Sequence, residues 1–206
     1  MVILDEKSSC VQTYNITIIK KGFKMAADVQ IRRWTGSSGS PTKTDITSIN
    51  TRSNAADSHT TAGTTNPIQI PGAGTNYSYW VSTRLFANSA PSGVIDNIRW
   101  HTDGTANFGT GVDANVAQAT SYVQATGTPA ETGSQLTTLA HTGLVLAPVD
   151  AFTNYPGAST ALAVTGSINA STGDFGNFVV YQMTVGTSAG PGATAMETFT
   201  WLYDET

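Results

Sequence analysis

Phe178-Val-Val-Tyr-Gln-Met-Thr-Val185 and Glu197-Thr-Phe-Thr-Trp-Leu-Tyr203 are two alternating runs near the end of the chain, separated by Gly186-Thr-Ser-Ala-Gly-Pro-Gly-Ala193. Period-two runs around a Gly/Pro/Ser loop predict two antiparallel strands. Val179, Tyr181, Met183 and Val185 share one face of the first; Phe199, Trp201 and Tyr203 share one face of the second. Burying one such side chain is worth about 1.5–3 kcal/mol, so the pair is a plausible core. The connection exceeds a two-residue hairpin turn, so the strands either pair directly or face each other across a sandwich.

Upstream the same texture repeats. Asp28-Val-Gln-Ile-Arg-Arg-Trp34 predicts a strand with Val29 and Ile31 on one face, and Asp45-Ile-Thr-Ser-Ile-Asn50 a shorter one. Residues 51–66 are polar and read as a long surface loop. Pro67-Ile-Gln-Ile-Pro71 is an edge-strand candidate, because proline cannot donate to a central ladder. Tyr77 to Phe86 predicts a long aromatic strand, with Val94 to Trp100 as its neighbour after the Ala90-Pro-Ser-Gly93 turn. Residues 113–143 are compatible with short strands or with a projecting excursion, and Leu144–Pro148 and Ala161–Thr165 are further short candidates. About eight to ten strands at turn-punctuated spacing, without a convincing amphipathic helix, predict an all-β fold: an antiparallel β-sandwich with long loops and little helix.

Composition agrees. Of 206 residues only 12% are charged, and Thr, Ser, Gly, Ala and Asn fill the gap, which suits strands with hydroxylated outer faces and many turns. The net charge of −4 argues against nucleic acid as the main partner. No run of 18 or more apolar residues is present, so no transmembrane helix is expected. A single cysteine, Cys10, rules out an internal disulfide.

Residues 1–24 differ from the rest, with Lys7, Lys20, Lys21 and Lys24 against Lys43 alone downstream. The codons for Lys20-Lys-Gly-Phe-Lys-Met25 form a purine-rich patch before a methionine, in the manner of a bacterial ribosome-binding site. The expectation is therefore a leader over 1–24 ahead of a single β-sandwich domain over 25–206. The rival is a genuine N-terminal arm that reaches a neighbouring subunit.

Few residues suggest chemistry. His59, His101 and His141 stand far apart with no ligand-spaced partner and read as surface or capping histidines. Asp103 and Asp113, ten residues apart along a Gly-rich stretch, are weak calcium candidates, although an Asp-Gly turn explains Asp103 by itself. Gly109-Thr-Gly-Val-Asp-Ala114 imitates a dinucleotide loop but lacks a βαβ setting. Asp204 and Glu205 point to opposite faces of a strand and do not form an acid/base pair. A non-enzyme without cofactor is expected. Tyr79, Trp80, Trp100, Phe199, Trp201 and Tyr203 read as core or subunit-interface aromatics in preference to a sugar-stacking platform.

The opening strand Val29-Gln-Ile-Arg-Arg-Trp-Thr-Gly36, the pairing of Tyr79-Trp80 with Ile95-Asp-Asn-Ile-Arg-Trp100, and the close Tyr181 to Gly192 with Thr198 to Glu205 carry a resemblance. From Met25 to Thr206 the layout resembles a family of tailed-bacteriophage virion structural proteins. The resemblance implies an immunoglobulin-like or jelly-roll sandwich located on a virion assembled in the bacterial host cytoplasm. It implies a capsid decoration protein that touches the major capsid protein or other virion subunits, in an oligomer, and it carries over no catalytic residues. The alternative it leaves open is a carbohydrate- or receptor-binding module of a tail or fibre.

Overall fold

The computed structural model describes residues 9–21, 27–61 and 63–206. The chain begins with β1 (Ser9–Lys21), β2 (Val29–Thr35), β3 (Thr42–Asp45), β4 (Thr51–Ser53), β5 (Ile68–Gln69) and β6 (Thr75–Tyr77). Next come β7 (Val81–Ala87), β8 (Val94–His101), β9 (Val112–Ala119), β10 (Gly127–Thr128), β11 (Thr132–Gly133) and β12 (Val149–Asp150). After the one-turn helix α1 (Ala151–Asn154) follow β13 (Leu162–Ala163), β14 (Ile168–Asn169), β15 (Gly173–Gly186), β16 (Gly192–Ala193) and β17 (Glu197–Glu205). Asp150 caps α1 by accepting from the Thr153 amide. Among the described residues no helix is long and apolar enough to cross a membrane.

Two large sheets pack face to face as an all-β sandwich. The first has eight strands in the order β13-β8-β17-β1-β16, with β14 on β8 and β4 and β5 on β1; the second has seven, in the order β12-β9-β15-β7-β2-β3, with β6 on β15. The two C-terminal strands therefore face each other across the sandwich. Val179, Tyr181, Met183 and Val185 point into the main core from β15, and Phe199, Trp201 and Tyr203 meet them from β17. Tyr181 and Phe199 are in edge contact at 5.0 Å between ring centroids. β15 is paired with β9 on one side and with β7 and β6 on the other, and takes a bulge between Phe175 and Val179, where Gly176 has φ +67° and its carbonyl accepts from Arg84 Nε at 2.7 Å.

Three local expectations are corrected. Tyr77–Phe86 and Val94–Trp100 are not neighbours: β7 pairs with β2 and β15, whereas β8 belongs to the other sheet beside β17. The 88–93 turn is a crossover between layers, and alternation cannot tell a crossover from a hairpin. The strand near Asp45 ends where it was expected to start, at Thr42–Asp45. Residues 51–66 are not wholly a surface loop, since Thr51–Ser53 is strand β4 and residues 51–55 are buried.

The N-terminal segment contributes β1, which pairs in parallel with β17 from Tyr14–Glu197 to Lys21–Asp204 and antiparallel with β4 and β5 on its other side. Tyr14 is fully buried, stacked on Phe199 at 4.7 Å and edge-on to Tyr181 at 5.4 Å. Residues 22–26, where the alternative start falls, lie outside the described residues.

Candidate functional site

The second sheet is apolar on both faces. On β15 the parity opposite the main core places Phe178, Val180 and Gln182 outward, and a second cluster forms there from Tyr79, Trp80, Ala119, Ala125, Leu136, Phe178 and Val180. Its cover is the segment between β9 and β12. Residues 113–143 thus resolve into β9 followed by an excursion that folds back over its own sheet.

Polar staples hold this cover. Gln182, the one polar side chain buried in the middle of β15, accepts from the Leu136 amide at 2.7 Å and donates to the carbonyls of Ser78 at 2.7 Å and Ser134 at 2.8 Å. Trp80 Nε1 donates to the Val123 carbonyl at 3.0 Å, and the Tyr122 hydroxyl donates to the Gly36 carbonyl at 2.8 Å. At the far end the Thr120 amide donates to Gly143 and the Val145 amide to Gln118, both at 2.8 Å. Buried backbone groups need such partners, so the segment is fixed at both ends.

Outward, the same segment presents apolar side chains to solvent. Leu139 is 90% exposed, Leu146 74% and Val145 48%. Val145 and Leu146 also border a small pocket with Val149, Tyr155 and Leu162. Single exposed apolar side chains are ordinary; here two leucines and a valine are exposed within eight residues of one excursion.

A buried cation ties the opposite margin of the sandwich together. Arg33 points inward from β2, and its guanidinium donates to Thr51 Oγ1 at 2.8 Å and to the carbonyls of Arg52 at 2.6 Å and Ser58 at 2.8 Å. Burial lowers its pKa, which the nearby Tyr181 and Asp57 partly offset. Asp57 accepts from the Gly36 amide at 2.8 Å and Gln124 Nε2 at 3.0 Å; burial still raises its pKa. These groups fasten the 51–58 stretch, which is structural work.

The remaining predicted residues can now be placed. Tyr79, Trp80, Trp100, Phe199, Trp201 and Tyr203 are all buried: the first two belong to the second cluster and the other four to the main core. None offers a free ring face to a sugar. Burial pushes the Tyr203 hydroxyl up to about 12. Asp103 is exposed and accepts from the Thr105 amide at 3.0 Å, as an Asp-Gly turn requires, and Asp113 is exposed on β9 opposite Thr184. Among the described residues no three His, Cys, Asp or Glu side chains gather as a metal site. Glu197 is buried and accepts from the Asn107 amide, and burial raises its carboxyl pKa. His59 and His101 are half-buried, whereas His141 is fully buried.

Sequence reading missed Arg33, Gln182 and His141. Parity was the available signal for the first two: Arg33 shares a face with Val29 and Ile31, and Gln182 with Phe178 and Val180. Nothing local marks His141 as buried. Comparison with known protein families, with curated proteins and with solved structures returned no match.

Proposed function

We propose that this chain is a non-enzymatic virion structural protein, a capsid decoration protein that stabilises a phage head by bridging neighbouring subunits of its shell. The observation that carries the reading is the outward apolar display of Leu139, Val145 and Leu146 on a cover stapled to a rigid sheet. A decoration protein needs a preformed surface, because ordering a loose loop on contact costs about 0.5–1.5 kcal/mol for each immobilised side chain. Here that ordering is done within the fold. The low charge suits a contact repeated many times around a symmetric shell. The shell subunit that meets the excursion supplies an aliphatic pocket for Leu139 and Leu146.

The test is co-sedimentation of purified protein with expanded, DNA-free heads of its source phage. Binding should saturate at a fixed copy number and weaken at least tenfold in Leu139→Asp/Leu146→Asp. Heads that bind none of the protein overturn the proposal.

A further inference from the structure

We propose that His141 is an acid-sensitive latch that holds the 134–145 segment shut over the outer apolar face of the second sheet. The imidazole is fully buried, its ring lies 5.6 Å from that of Trp80, and neither ring nitrogen has a hydrogen-bond partner. The backbone folds around it: its amide donates to the Thr137 carbonyl at 2.9 Å, and its carbonyl accepts from Leu144 at 3.1 Å. Gln182 fastens the segment before this turn, and Gln118 and Gly143 fasten it after. His141 is thus the plug between two anchors.

A neutral imidazole tolerates this site; an imidazolium does not. Protonation makes both nitrogens donors where neither has a hydrogen-bond partner and no carboxylate faces them, and a buried charge without a counter-charge is among the costliest groups a fold can hold. The plug then leaves for water and lifts Leu136 with it, uncovering Trp80, Phe178 and Val180.

The titratable surroundings do not supply a counter-charge. Tyr79 and Tyr122 are the ionisable members of the covered cluster and neighbouring packing, and burial raises both. Asp57 and Arg33 act on Tyr122, and Asp57 on Tyr79, but neither contributes to the shift of His141. Glu131, the sole carboxylate between residues 120 and 147, is exposed in the β10–β11 hairpin. Burial lowers the His141 pKa, against a smaller opposite influence of its own backbone. The closed form therefore binds fewer protons than the open one. Closure is complete above the open-form pKa of about 6.5 and weakens up to tenfold per pH unit below it.

Hydrogen exchange on the full chain tests this, comparing amide protection at about pH 7.5 and about pH 5 after correction for intrinsic rates. Protection at Leu136, His141, Leu144 and Val145 should fall at least tenfold while β15 amides hold theirs. His141→Gln and His141→Leu should each abolish the acid response, and His59→Gln should keep it. Should either variant fail to fold, the wild-type profile together with the NMR titration of the His141 ring still decides, since loss of protection must track that titration. Wild-type protection that stays flat with pH, or falls without following the ring, overturns the proposal, as does a folded His141 variant with an unchanged acid response.

Discussion

Tyr14→Ala is the perturbation that reads most directly on how the first strand is held. The side chain is fully buried between the sheets, stacked on Phe199 at 4.7 Å and in edge contact with Tyr181 at 5.4 Å and Phe108 at 6.1 Å. Truncating a large buried aromatic costs about 3–5 kcal/mol, because transfer energy and cavity formation add. In a domain of this size each kcal/mol moves Tm by about 2–4 °C, so the variant should melt roughly 6–20 °C below wild type. Thermal unfolding followed by far-UV circular dichroism measures it. Two companions bracket the result: Tyr14→Phe keeps the ring and should lose only about 1 kcal/mol, and Thr17→Ala, exposed on the same strand, should stay within about 0.5 kcal/mol of wild type. A Tyr14→Ala melting point within about 2 °C of wild type would mean that β1 does not sit in the core. A chain begun at Met25 loses Tyr14, Cys10 and Ile16 together and should melt at least as low as Tyr14→Ala.

Other outcomes follow from the same contacts. Gln182→Ala strips the Leu136 amide and the Ser78 and Ser134 carbonyls of a partner, and at about 1–3 kcal/mol per stranded buried group it should cost about 3 kcal/mol or more in chemical denaturation. Leu139→Asp and Leu146→Asp change exposed positions and should leave stability within about 0.5 kcal/mol of wild type while weakening shell binding. Burial raises the Glu197 carboxyl pKa, so the folded state holds that proton more tightly than the unfolded chain. The resulting stability is complete below the ordinary glutamate range and is lost as pH rises through the raised value; Glu197→Gln should flatten this fall in a Tm-versus-pH series.

The alternation of Phe178–Val185 and Glu197–Tyr203 placed the correct seven side chains in the main core, because one buried face imposes a period of two on any strand. The partner of each strand was not legible. β7 and β8 are consecutive and separated by a short turn, yet they lie in different layers, and local pattern carries no information about such a crossover. Phe178 and Val180 sit at the opposite parity from Val179 and Tyr181, which signals burial on both faces, although not what covers the second face. The excursion that does so is poor in bulky apolar residues and is held by Gln182, Gln118 and Trp80, three contacts spread across the chain that leave no periodic trace. Exposure of Leu139 and Leu146 is equally a tertiary outcome, since the same residues on a strand would be core.

Counting the protein on shells decides the proposed role. Purified heads of the source phage, titrated with the full chain and imaged by cryo-electron microscopy, should carry it at every equivalent lattice position, with the Leu139–Leu146 excursion against a shell subunit. Heads that stay bare at saturating protein, or density confined to the tail, would contradict a decoration role.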